Sequence, residues 1–352
     1  MISEAAAPSN HSDAQLGVVL EVRGLTVSFP TETGNVRPVR DVSFQLRRGQ
    51  RLGLVGESGS GKSLTALALM RMIPPPGRVE AGEVVLNGRN LLRLPEREMA
   101  AARGGEIAMV YQNPMASLNP VMTIGEQISE AVRAHENLNI GDAKERTVGL
   151  LRDVGVPEPE RRYHRYPHQF SGGMRQRVVI AMAMCANPSV LIADEATTAL
   201  DVITQARIIE LLLRLVEQRD TAVILITHDL GVAAGFCTDV QVMYAGRIIE
   251  KADTAQLYAN PIHPYSEALL QSICRLDADF TKPIRAIPGQ PPLPGSLPSG
   301  CTFHPRCAYA LDICREVVPV PMSLGREVPM MVECHRAVER FRPVHEGLTS
   351  RE

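Results

Sequence analysis

The sequence predicts an α/β fold built on a parallel sheet. Three segments predict it. The apolar run Leu52-Gly53-Leu54-Val55 leads into Gly56-Glu57-Ser58-Gly59-Ser60-Gly61-Lys62-Ser63 and then into helix-forming residues from Leu64 to Met70, which reads as strand, glycine-rich loop and helix. A second apolar strand, Val190-Leu191-Ile192-Ala193, ends in Asp194-Glu195. Between them, Phe170-Ser171-Gly172-Gly173-Met174-Arg175-Gln176-Arg177 precedes the apolar stretch from Val178 to Ala186.

Each segment carries its own chemistry. In the loop, the glycines let successive backbone N–H groups turn inward around phosphate oxygens, Lys62 reaches the β- and γ-phosphates, and the Ser63 hydroxyl can ligate Mg²⁺. The second strand delivers two carboxylates to the carboxyl edge of the sheet, where the loop also sits. An apolar strand ending in Asp-Glu is by itself equally compatible with an exposed terminus; the upstream loop tips the reading toward a site. Asp194 is then expected to hold Mg²⁺, and Glu195 to orient and deprotonate the water that attacks the γ-phosphate. Ser171 is placed as an N-cap, and the glycines after it leave the helix amides open, so this helix start is a second anion site. A chain with its own phosphate loop seldom needs another for the same nucleotide, so this site is expected to serve a nucleotide held by another subunit.

The remaining elements follow in order. Strands are expected around Val18 to Phe29, Val39 to Leu46, Gly82 to Asn87 and Ile107 to Tyr111. Residues from about Thr123 to His168 read as mainly helical, with Ile124, Ile128 and Val132 on one face. The parallel core resumes at Val190 and runs to about Tyr244, where the Ala245-Gly246 turn starts a hairpin into Arg247 to Glu250.

Taken together, these motifs resemble the ATP-binding subunit of an ABC transporter, over about residues 18 to 270. The resemblance implies an ABC-type P-loop nucleotide-binding domain with a helical subdomain, about 120–175, that receives the coupling helix of a membrane subunit near Met115 to Pro120. It also implies roles. Phe29 matches the aromatic that stacks on adenine, and Gln112 the glutamine that contacts Mg²⁺ and senses the membrane partner. Ser171, Gly172 and Gly173 belong to the signature motif, Thr198-Ala199-Leu200-Asp201 to the D-loop, and His228 is the switch histidine that donates to the γ-phosphate. Met174 stands where many signatures have glutamine and Ala196 where proline commonly follows the glutamate; neither position supplies essential chemistry.

Composition agrees. The 352 residues suffice for one large α/β domain and an appendage, and no run approaches the roughly 18 to 20 apolar residues that cross a bilayer. A formal charge of −2 argues against a nucleic-acid surface as the main feature. The first 17 residues read as a polar tail without the basic and apolar regions of a secretory signal. The chain is therefore expected at the cytoplasmic face of the cell membrane.

The end of the chain narrows the family, and 271–352 is expected to form a C-terminal extension to the ATP-binding domain. Asn260-Pro261-Ile262-His263-Pro264-Tyr265, followed by Leu269-Leu270, resembles the C-terminal extension of oligopeptide and dipeptide importers. That resemblance implies a second, D/F-paired ATP-binding subunit (an F-type chain beside this D-type one), two membrane permeases and an extracytoplasmic solute-binding protein. An importer for nickel or another small solute, and a soluble ABC ATPase, are the alternatives. A proline-rich stretch from Ile287 to Pro298 reads as extended. Beyond it, Cys301, Cys307, Cys314 and Cys334 cluster, whereas Cys185, Cys237 and Cys274 are scattered. Four thiols in a reducing compartment suit tetrahedral Zn²⁺ or an iron–sulfur cluster, or remain unligated; the family pattern around Gly300 to Cys307 implies [4Fe–4S]. His304 and His335 lie beside them.

Overall fold

The structure, a computed structural model, describes residues 17–32, 34–196, 200–272, 286–325 and 330–341. Among these, the strands are β1 (Val18–Thr31), β2 (Gly34–Arg47), β3 (Arg51–Val55), β4 (Arg78–Leu86), β5 (Arg89–Asn90), β6 (Ile107–Val110), β7 (Val190–Asp194), β8 (Ala222–Thr227), β9 (Asp239–Tyr244), β10 (Arg247–Asp253), β11 (Met322–Leu324) and β12 (Met330–Val332). They form an antiparallel sheet in the order β2-β1-β4-β5 and a larger sheet in the order β11-β12-β10-β9-β3-β8-β7-β6. Strands β9, β3, β8, β7 and β6 are parallel, which aligns their carboxyl ends along one edge.

The parallel strands read as continuous apolar runs because both of their faces are covered. Leu191, Ala193, Val223, Leu225, Val240 and Val242 point into one core, shared with the helices Ile124–His135, Ile140–Asp153, Gly172–Ala183 and Val202–Arg219. Their alternate neighbours Val190, Ile192, Ala222, Ile224 and Ile226 point into the other, shared with the helix Lys62–Leu69 and the antiparallel sheet. The period of two along each strand thus assigns side chains to opposite sides.

Local chemistry sets the boundaries. The β9–β10 hairpin closes through Ala245 and Gly246, both at positive φ (45° and 85°), the primed turn that matches strand twist. A Cβ on Gly246 would fall 2.7 Å from the Pro38 carbonyl oxygen, so the turn also needs the missing side chain. The helix Ile124–His135 opens with a capping box in which Thr123 and Glu126 satisfy each other's backbone N–H. The helical region expected from Thr123 to His168 resolves into that helix, Ile140–Asp153 and the short Pro159–Arg162. Residues 286–298 form neither helix nor strand, as proline density dictates.

The C-terminal segment is joined to the nucleotide sheet. Strand β12 pairs antiparallel with β10, Glu250 opposite Val332, and β11 completes the edge. The fully buried Glu250 carboxylate accepts the Ile262 and His263 N–H groups at 2.7 and 3.0 Å. Tyr244, Tyr265 and Phe303 pack ring to ring at centroid separations of 4.6 to 5.3 Å.

The cysteine expectation needs correction. Burial pushes the Cys301 thiol up to about 11 and raises Cys307 and Cys334 as well, with the neighbouring cysteines adding to it. Among the described residues no group of three or more His, Cys, Asp or Glu side chains is arranged to hold a metal ion, so neither the [4Fe–4S] cluster nor Zn²⁺ is supported at Cys301, Cys307, Cys314 and Cys334. His304 and His335 are instead occupied with the carbonyls of Cys301 and Val317, at 3.0 and 2.9 Å. Cys274 lies outside the described residues.

Candidate active site

The glycine loop connects the carboxyl end of β3 to the helix Lys62–Leu69. Its path depends on Gly56, Gly59 and Gly61, at φ of 153°, 79° and 105°. Gly56 also passes so close to β9 that a Cβ would meet the Met243 carbonyl oxygen at 2.2 Å. Ser58 and Gly59 are exposed at the mouth, while Ser60 is buried and its carbonyl accepts from Gly246 N–H at 2.9 Å. Lys62 is 5% exposed and curls back into the loop, donating to the Gly56 and Glu57 carbonyls at 2.8 and 2.9 Å. Burial lowers its pKa, and Glu195, Asp194 and Glu57 oppose that shift. An ammonium held by neutral carbonyls is ready to be taken over by a stronger acceptor.

Facing the loop, the Ser63 hydroxyl donates to Asp194 Oδ1 at 3.0 Å. Burial raises the Asp194 pKa, which Ser63 and Lys62 partly offset and Glu195 reinforces. Two hard oxygen donors side by side, one a poorly solvated carboxylate, fit Mg²⁺.

Glu195, the next residue, occupies the left-handed region at φ 47°, where a non-glycine residue costs about 1–3 kcal/mol. Its N–H donates to the Ile226 carbonyl at 2.9 Å, which fixes the strained turn to β8. The carboxylate is held from two sides: Gln112 Nε2 donates to Oε2 at 2.6 Å, and His228 Nδ1 lies 3.0 Å from Oε1. Gln112 follows β6 and His228 follows β8, so adjacent strand ends bring them to Glu195. An ionised Glu195 can only accept, so His228 Nδ1 carries the proton in this arrangement. Donation by the same ring to a phosphate then requires a protonated imidazole or release of Glu195. The next residue after His228, Asp229, caps its helix through Gly231 and Val232 N–H and accepts from Gln205, which ties this loop to the helix Val202–Arg219.

The signature residues lie elsewhere. Ser171 caps the helix Gly172–Ala183, accepting the Met174 N–H at 3.4 Å. Ser171, Gly172 and Gly173 line a cleft of about 420 Å³ with Leu200, Asp201, Thr204 and Arg207, and no residue of the glycine loop borders it. A Cβ at Gly173 would fall 2.6 Å from Thr204 Cγ2, so a side chain there would have to displace that methyl. Asp201 caps the helix Val202–Arg219 through Thr204 N–H at 2.9 Å. Thr198 and Ala199 lie outside the described residues. Phe29 is half-buried with its ring on Gly77, whose Cβ would lie 2.4 Å from Cε1; this packing also serves the core.

Three residues that hold the loop are not singled out for that task by the sequence: Tyr244, Tyr265 and Arg306. The Tyr265 hydroxyl accepts from Glu57 N–H at 2.8 Å, and Arg306 grips the Glu57 carboxylate with both terminal nitrogens at 2.7 and 2.9 Å, its guanidinium also 3.4 Å from the Tyr244 hydroxyl. One signal was present: an acidic residue inside a phosphate loop calls for a nearby cation.

A phosphate loop, paired carboxylates at the end of the neighbouring sheet strand but one, and a separate capped glycine helix define an ABC-type ATPase. The comparisons agree. The ABC transporter family profile matches residues 39–198, and that of the oligopeptide/dipeptide transporter C-terminal region matches 249–314. The oligopeptide transport ATP-binding protein OppD of Salmonella typhimurium is 48% identical over 340 residues, 96% of this chain and 98% of the relative. The dipeptide transport ATP-binding protein DppD of Escherichia coli is 45% identical over 319 residues, 90% and 96% of the two chains. Among solved structures, a dimeric ATP-binding cassette in a post-hydrolysis state bound to ADP and Pi aligns with a TM-score of 0.60 and 25% identity, covering 67% of this chain and 98% of the cassette. The chain belongs to the ABC transporter family, with the oligopeptide and dipeptide transport ATP-binding proteins as its relatives. ATP and Mg²⁺ are accordingly its ligands.

Proposed function

We propose that this chain binds and hydrolyses ATP to power the import of di- and oligopeptides from the cytoplasmic face of the membrane. The observation that carries the hydrolytic part is Glu195, oriented between Gln112 and His228 one residue from Asp194. Peptides as cargo are supported by the match of the C-terminal region and by relatives named for oligopeptide and dipeptide transport.

In this reading loop N–H groups between Gly56 and Ser63, apart from that of Glu57, which the Tyr265 hydroxyl engages, receive the phosphates, and Lys62 leaves the Gly56 and Glu57 carbonyls for the β- and γ-phosphates. Ser63, Asp194 and Gln112 would hold Mg²⁺, which would supply positive charge against the negative charge that develops on the phosphates. Glu195 takes a proton from the attacking water, oriented by its two hydrogen-bond partners; His228 steadies the departing γ-phosphoryl. Phe29 supports adenine. Ser171, Gly172, Gly173 and Asp201 form a separate cleft suited to a nucleotide held by another cassette, a reading supported by the dimeric state of the similar solved cassette. Closure of two cassettes around ATP, and reopening after hydrolysis, would drive the permeases.

The proposed assembly comprises this D-type chain, an F-type ATP-binding subunit, two permeases and a solute-binding protein. No helix among the described residues is long and apolar enough to cross a membrane, so in this assembly the permeases supply the membrane attachment. In the assembled transporter, Glu195→Gln should retain ATP binding and closure and lose ATP turnover by about a hundredfold or more at this site. Wild-type turnover by the variant, with the partner cassette silenced, would overturn the assignment of Glu195.

A further inference from the structure

The C-terminal segment grips the phosphate loop through a charge pair. Glu57 is an acidic side chain inside a loop built to receive a polyanion, and its charge acts on Lys62 as well. Left free, it would repel the triphosphate or compete for the Lys62 ammonium. In the structure the Arg306 guanidinium holds both of its oxygens.

Arg306 is itself fixed on several sides. Its side chain is 5% exposed, Nε donates to the Pro288 carbonyl at 2.8 Å, and the guanidinium lies 5.9 and 6.0 Å from the Tyr244 and Phe303 ring centres. A forked, fully directed pair is the geometry in which arginine is not replaceable by lysine without loss. The partners are 249 residues apart, one in the loop and the other between Cys301 and Cys307. The Tyr265 hydroxyl adds a second fastening, to the Glu57 backbone.

We propose that Arg306 is a positioning residue of the ATP site: it neutralises Glu57 and turns it away from the phosphates, so that nucleotide affinity depends on docking of the C-terminal segment against the loop. This rests on the proposed ATP site at Gly56 to Ser63. The docked segment presets the loop; undocking would release Glu57 toward Lys62 and weaken ATP binding. The C-terminal segment is thereby an active control on the loop as well as an edge of the sheet.

The test measures binding of a fluorescent ATP analogue, with Mg²⁺, to the full-length chain, and KM and kcat for ATP in the assembled transporter. Arg306→Gln should weaken analogue binding and raise KM by about tenfold while kcat changes by less than about threefold, as expected for a nearby uncompensated charge. Arg306→Lys should fall between it and wild type. Adding Glu57→Gln to Arg306→Gln removes the repelling charge and should recover at least about half of the lost binding energy, which loss of packing alone would not allow. Should Arg306→Gln fail to fold, Arg306→Lys with and without Glu57→Gln carries the comparison. Wild-type affinity in both Arg306 variants, or a double variant no better than Arg306→Gln, would overturn the proposal. Lys62→Ala serves as control: if wild type binds the analogue and Lys62→Ala does not, the ATP site stands whatever Arg306 does.

Discussion

Glu195 shows how much of the site is decided by single residues. A strained backbone at φ 47° aims its carboxylate, and Gln112 and His228 hold it at 2.6 and 3.0 Å. Strain of this kind persists only where the surroundings overdetermine it, here by the Glu195 N–H bond to Ile226. The same strand end supplies Asp194 to Ser63, so two adjacent carboxylates have two environments: one buried with its pKa raised by that burial, the other gripped by donors. Lys62 is a different kind of residue, already inside the loop and bonded to carbonyls that phosphate oxygens would replace. Lys62→Ala is therefore expected to weaken ATP binding itself by about a hundredfold, measured by equilibrium titration, whereas Glu195→Gln should leave binding intact. Equal affinity of Lys62→Ala and wild type would contradict the loop assignment. At this scale the sequence was most informative, because Gly56 to Ser63 and Asp194-Glu195 are contiguous runs whose chemistry is local. Glu57 was legible as part of the loop, but its partner Arg306 was not, since nothing in the local pattern around Cys301 to Cys307 points to a loop 249 residues away.

At the scale of elements, the strands were legible because each side of the sheet claims alternate apolar residues, and Val190 to Ala193 and Ala222 to Ile226 are apolar throughout. Less legible was the C-terminal segment. Its cysteines drew a metal expectation, whereas pairing of β12 with β10, the buried Glu250 carboxylate and the Tyr244–Tyr265–Phe303 cluster are what join it to the sheet. Those are long-range contacts between short elements, and short elements carry little periodicity. His263 belongs to this junction: fully buried, it caps the helix Pro264–Gln271 by accepting Tyr265 N–H on Nδ1, and burial holds its pKa down to about 3 from 6.5. With the folded value below the unfolded one, its contribution is complete above pH 6.5 and is lost as pH falls from 6.5 toward about 3. The loss amounts to as much as about 1.4 kcal/mol per pH unit within that window. Thermal melts between pH 7 and 5 should therefore fall less steeply for His263→Asn, which keeps a capping acceptor without titrating. Identical slopes for the two proteins would exclude His263 as the source.

At the scale of the whole molecule, one sheet edge gathers the phosphate loop, Asp194, Glu195, Gln112 and His228, while the signature cleft lies apart from them. That separation supports the proposal that the chain contributes half of each of two nucleotide sites, and Asp229 and Gln205 link the His228 loop to the helix that Asp201 begins. ATP chemistry in one cassette is thus placed to be felt where a second cassette would dock. The sequence suggested this division through Ser171 and its glycines, but could not show that Asp201 and Thr204 share their cleft, because that depends on how two helices pack. The most direct measurement is uptake of labelled di- and oligopeptides, with nickel uptake in parallel, in cells whose only copy of this chain is Glu195→Gln. The account predicts loss of peptide uptake with nickel uptake unchanged; persistent peptide uptake, or loss of nickel uptake alone, would contradict it.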